Sequence, residues 1–95
     1  MLLFKRKSQE VLQYAIRNAV MSRRSEHLKN LLKSHGSRHF AHALSGLSSR
    51  IIADVLTMLS VSERNNLLNG LSSDAYQRLL LLDQNMIQLL VNPSH

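Results

Sequence analysis

A repeat of twelve residues runs through the second half of the chain and limits what the whole can fold into. Residues 47–82 divide into three rows, LSSRIIADVLTM, LSVSERNNLLNG and LSSDAYQRLLLL. Every row opens on a Leu-Ser pair, at Leu47-Ser48, Leu59-Ser60 and Leu71-Ser72. Every row carries a late apolar pair at one phase, at Val55-Leu56, Leu67-Leu68 and Leu79-Leu80. A fixed period is the signature of one small unit stacked on copies of itself.

The row opening explains the unit. A Ser hydroxyl accepts a hydrogen bond from an orphan N–H in a helix's first turn. Ser48, Ser60 and Ser72 are placed to do this, and Ser60 with Glu63 completes a capping box. Each row then has room for about 9–10 helical residues, roughly 14 Å of helix. Gly70 ends the second row where a helix C-cap with positive φ is expected, and Gly46 sits at the same phase, just before the first row. Helices this short are marginal alone. They need a buried face, which Leu47, Ile51, Ile52, Val55, Leu56 and Leu59 supply. The pattern extends weakly both ways. Ser37 would cap an earlier row through Leu44. Asp83 would cap a later one through Val91, unless residues 73–91 form a single helix.

The expectation for the whole is an all-α domain over residues 1–95. Residues 1–7 are a flexible start, 8–34 basic N-terminal helices, 35–91 the repeats and 92–95 a tail. A chain of this length buries roughly 60–65% of its unfolded surface. Alternating β-branched runs are absent, which argues against a sheet. Ser8 is read as the cap of a helix to about Ser22, with Val11, Leu12, Ala15, Ile16, Ala19 and Val20 on one stripe and Met21 widening it. Tyr14, Arg17 and Asn18 fall on the other side. Ser25 caps a second helix, Glu26 to Ser34, burying Leu28, Leu31 and Leu32. The alternative is one long basic helix, but the polar gap before Leu28 favours a break. His35-Gly36-Ser37 is a stop, with Lys33 and His35 suited to the helix's negative end.

Charge divides the chain. Residues 1–50 carry ten Lys and Arg against Glu10 and Glu26, a net +8, whereas residues 51–95 net −2. Such asymmetry speaks to partners rather than to fold. There is no Cys, hence no disulfide and no thiolate chemistry. No apolar run approaches the ~20 residues of a membrane helix. The apolar start Leu2-Leu3-Phe4 precedes its charges, the reverse of a secretory signal. A soluble, cytoplasmic protein is expected.

Few residues suggest chemistry. His27, His35, His39 and His42 cluster, and His39 with His42, three apart on one helix, is a weak metal candidate. No nucleophile–base pair, phosphate loop or HExxH motif occurs. No enzyme, cofactor or small-molecule substrate is expected. The basic residues Lys5, Arg6, Lys7, Arg17, Arg23, Arg24, Lys29 and Lys33 can track phosphates, although aromatic interleaving for base stacking is missing.

The rows from Leu44 to Leu90 resemble the helical repeat of the N-terminal domain of MgtE-family magnesium transporters, and similar rows occur in the flagellar motor switch protein FliG. Ser60-Val61-Ser62-Glu63-Arg64 followed by Leu67-Leu68 carries the resemblance best, then Ser72-Ser73-Asp74 followed by Leu79-Leu80. The resemblance implies short helices wound into a right-handed superhelix that docks onto another protein. The transporter domain is strongly acidic and this chain is basic, so magnesium sensing is not implied. The leading expectation is a small, bacterial-type protein-interaction adaptor that binds another protein or a second copy of itself. Leu89, Leu90 and Val91 at one end, and Leu2, Leu3 and Phe4 at the other, are its candidate contacts. The alternative is a nucleic-acid-associated regulatory protein using residues 5–38.

Overall fold

The computed structural model describes the backbone of residues 2–82 and the side chains of residues 9–82. Six helices follow one another: α1 (Leu2–Met21), α2 (Ser25–His35), α3 (Ser37–Ser45), α4 (Ser49–Met58), α5 (Val61–Gly70) and α6 (Ser73–Leu82). No strand occurs among the described residues, so the fold is all-α. The later row expected after Leu82 lies outside them, as does the question of one helix or two over residues 73–91.

The Leu-Ser joints behave as their chemistry requires. Ser48 Oγ accepts from Ile51 N at 3.3 Å, Ser60 Oγ from Glu63 N at 3.3 Å and Ser72 Oγ from Ala75 N at 3.1 Å. The capping box closes when Ser60 N donates to Glu63 Oε1 at 2.9 Å. Leu59 and Ser60 are both extended, at φ −110°, ψ 163° and φ −69°, ψ 165°. Two extended residues turn the chain, the Leu anchoring in the core and the Ser starting the next helix. Leu47 and Leu59 are buried and Leu71 is half-buried. Burial of such a side chain stabilises by roughly 1.5–3 kcal/mol.

The twelve-residue period reaches further back than the Leu-Ser pairs. Helices start at residues 25, 37, 49, 61 and 73. Ser25 and Ser37 are therefore first helical residues, not caps. The cap positions belong to Arg24 and Gly36, neither of which caps with a side chain. Ser8 is not a cap either, because α1 begins at Leu2 and residues 2–7 form its opening turns. The break after α1 is a Schellman turn. Arg24 N donates to Ala19 O at 2.9 Å and Arg23 N to Val20 O at 3.1 Å, with Arg23 left-handed at φ 57°.

Equivalent positions bury equivalent groups. Leu28, Phe40 and Ile52 share one phase and are buried, as are Leu32, Leu44 and Leu56 at another. Helices α1, α2 and α3 pack on one another, and beyond them the main contacts skip a helix: α3 against α5 and α4 against α6. Consecutive helices from α3 onward touch far less. Gly70 follows from this arrangement and not from a positive φ, which among the glycines only Gly36 has, at 85°. A Cβ on Gly70 would stand 2.8 Å from Ala41 Cβ. Glycine is needed there because α5 lies close against α3. Gly46 likewise has a negative φ, −85°.

Polar side chains tie these pairs together at helix C-termini, where carbonyls lack intrahelical partners. Gln13 Nε2 of α1 donates to Ala43 O at 2.9 Å. Arg78 of α6 donates to Ser45 O at 2.9 Å and Leu47 O at 3.2 Å. Ser45 Oγ donates to Ala41 O and accepts from Ser72 N, each at 2.9 Å. Arg64 of α5 does the same for α4, donating from Nε to Leu56 O at 3.1 Å. Arg64 occupies the phase held by Leu28, Phe40 and Ile52 in earlier rows, and that break in the pattern marks it as a latch.

Candidate docking surface

Helix α1 has two apolar faces. Leu12, Ile16, Ala19 and Val20 are buried against the short helices. Val11, Tyr14 and Met21 are 63%, 66% and 74% exposed. The expected single stripe is thus corrected at two places: Val11 lies outside the core, and Met21 does not widen the buried face. At 3.6 residues per turn, Val11, Tyr14, Asn18 and Met21 fall within about 80° of arc. Their spacing of three, four and three is that of a helix seam. Arg17 and Glu10 border the seam, each one turn from Tyr14, and Arg23 and Arg24 stand beyond its end. All four are exposed. Sequence reasoning passed over this seam because Val11 is next to Leu12 and fits either stripe. The available signal was a helix apolar on more than half its circumference, which needs two covers rather than one.

The candidate contacts Leu89, Leu90 and Val91 lie outside the described residues. Leu2, Leu3, Phe4, Lys5, Arg6 and Lys7 are in α1 by backbone, and their side chains are likewise outside. Arg17 is on the outer face of α1, Arg23 and Arg24 are in the turn that follows, and Lys33 is exposed on α2 beside half-buried Lys29. The basic candidates whose side chains are described therefore lie on α1, the turn and α2.

The Ser60 backbone N–H holds the Glu63 carboxyl below the usual carboxylate range. Slight burial opposes this, and the Ser60 hydroxyl with the charges of Lys29 and Lys33 reinforces it.

His35, His39 and His42 gather where α2 meets α3, whereas His27 lies near the start of α2 and outside that group. His35 and His39 stack, with ring centroids 5.7 Å apart and planes at 15°. Stacking turns ring faces, not ring nitrogens, toward each other. Among the described residues no group of three His, Cys, Asp or Glu is placed to hold a metal ion. His35, Arg38, His39 and His42 line one open cleft of about 730 Å³, with Gly36, Ser37 and Gly70 as its remaining walls.

No helix among the described residues is long and apolar enough to cross a membrane. Neither protein-family models, curated proteins nor solved structures give a match to this chain.

Proposed function

We propose that this chain is a non-enzymatic protein-interaction adaptor, its short helices wound in a right-handed array of the kind found in the MgtE N-terminal domain. The observation that carries the reading is the outer seam of α1. Val11, Tyr14 and Met21 are more than 60% exposed in register, on a helix whose other face is fully used. Scattered apolar residues on a surface are ordinary. Large ones aligned on one helix face suit a helix-in-groove or helix-on-helix partner. Packing between next-but-one helices supports the array, since it sets the short helices in offset layers.

A photo-crosslinker at position 14, with a control at exposed Asn30, tests the surface. The expected result is a covalent product, with a second protein or a second copy, formed from position 14 and not from position 30. Met21→Asp should abolish it while the circular dichroism spectrum stays helical. Equal or absent products at the two positions, together with a monomeric mass at high concentration, would overturn the proposal.

Exposed Arg17, Arg23, Arg24 and Lys33 favour the second reading, a nucleic-acid-associated regulator. Its measurement is binding to generic duplex DNA against salt. Phosphate neutralisation requires affinity to fall steeply as salt rises, and absence of binding at low salt eliminates it.

A further inference from the structure

We propose that the cleft between α2 and α3 is a binding site for a tetrahedral oxyanion of the phosphate or sulfate type, and that acidification strengthens it. The site is separate from the α1 seam and does not depend on the docking proposal.

The cleft brings one guanidinium, Arg38, and three imidazoles, His35, His39 and His42, to a single opening, with no carboxylate in its walls. Two elements supply them, since His35 ends α2 and the others belong to α3. The α5 wall is Gly70, which adds no charge and leaves the mouth open. Charged groups on the surrounding elements leave this balance positive. On α2, Lys29 and Lys33 add positive charge, with Glu26 at the far end. On α5, Glu63 is engaged by Ser60, and both Glu63 and Arg64 lie roughly 9–11 Å along the helix from Gly70, at about 1.5 Å per residue. On α6, Asp74 is paired with Arg78 at 3.0 Å. On α1, Glu10 and Arg17 are both exposed, and their opposite charges offset one another.

The chemistry selects the ligand class. A guanidinium presents a planar fork of donors that matches the oxygens of phosphate or sulfate. Neutral imidazole offers one donor, and protonated imidazole offers two and a charge. Imidazoles as a class change charge between pH 5 and 8. Arg38 gives the cleft a permanent anchor, and the histidines turn its field up as pH falls.

Sulfate is the better probe, since its charge is constant over this range. The chain is titrated with sodium sulfate at pH 5.5 and pH 8.0, at constant ionic strength, and followed by amide chemical shifts. Saturable shifts confined to residues 33–42 and 70 are expected, with affinity at least threefold higher at pH 5.5. Arg38→Gln should weaken binding at both pH values, and His39→Gln should chiefly remove the pH dependence. Arg38 is exposed, so its variant tests the site without disturbing the core. Shifts that fail to saturate, are spread over the whole surface, or are unchanged in Arg38→Gln would overturn the proposal. A short DNA duplex added at pH 5.5 separates the sources of the anion. Displacement of sulfate assigns the cleft to a polymer's phosphates, and retention of sulfate assigns it to a free anion.

Discussion

Arg23 holds a backbone conformation that costs an L-residue roughly 1–2 kcal/mol, at the position of the Schellman turn where glycine is the usual occupant. Its φ of 57° is the only positive value at a non-glycine among the described residues. Arg23→Gly should therefore stabilise the fold by about 1 kcal/mol, less the extra entropy glycine brings to the unfolded chain. A rise in melting temperature of about 4 °C is the expected size for a chain this long. Glu63 gives a second test. Its carboxyl lies below its ordinary range when folded, so the contribution is fully present above the unfolded value, near pH 4.3. It is lost as pH falls through the folded value. Glu63→Gln should be less stable than the parent at pH 6.5, and the difference should be smaller at pH 3. Urea melts at the two pH values, fitted with one slope, would measure it.

At the scale of the helix, α3 and α5 form the most extensive helix pair among the described residues, and Gly70 lets them approach closely. Gly70→Ala gains helix propensity of up to about 1 kcal/mol. It also drives a methyl group into Ala41, and overpacking of this kind costs roughly 1–3 kcal/mol. The net expectation is destabilisation. Ala41→Gly in the same chain should recover part of it by clearing the 2.8 Å approach, and a double-mutant cycle would show the coupling. This glycine also shows how far the sequence could be read. The three Leu-Ser joints were legible because a short helix has few ways to begin and Ser is the commonest good one. Gly70 was visible but assigned a φ role, since close approach depends on which helix lies opposite. Ser25 and Ser37 were misplaced by one residue for a related reason. They are good caps by type, but the repeat phase puts the cap at Arg24 and Gly36. The latches of Gln13, Arg64 and Arg78 onto backbone carbonyls had no local signal beyond the phase break at Arg64. They depend on which helix end lies opposite: α3 for Gln13 and Arg78, and the neighbouring α4 for Arg64.

For the molecule as a whole, α3 is the hub, packed by α1, α2, α5 and α6. It carries the largest fully buried side chain, Phe40. A domain of this length has roughly 5–14 kcal/mol of stability in total. Phe40→Ala, at about 3–5 kcal/mol, should remove much of that and leave a chain that melts near ambient temperature or is unfolded. Native-state hydrogen exchange should find the slowest amides in α3, at Phe40 to Leu44, with the ends of α1 and α6 exchanging first. Slowest exchange in α1 instead would mean that the long helix, not the hub, is the last element to open. All-α character, the repeat and most of the core were legible because burial follows the period. The outer seam of α1 and the histidine cleft were not, since both arise where elements meet or fail to meet.

The two-residue joints at Leu59-Ser60 and Leu71-Ser72 leave the chain no slack. One inserted residue there would part the Leu from the Ser, so that the joint could not both seat its Leu in the core and start the next helix at its Ser. A change of length is therefore better placed at the Ser22–Arg24 turn, whose side chains are all exposed, than in these joints. A fusion partner, an epitope or a reporter loop belongs at that turn.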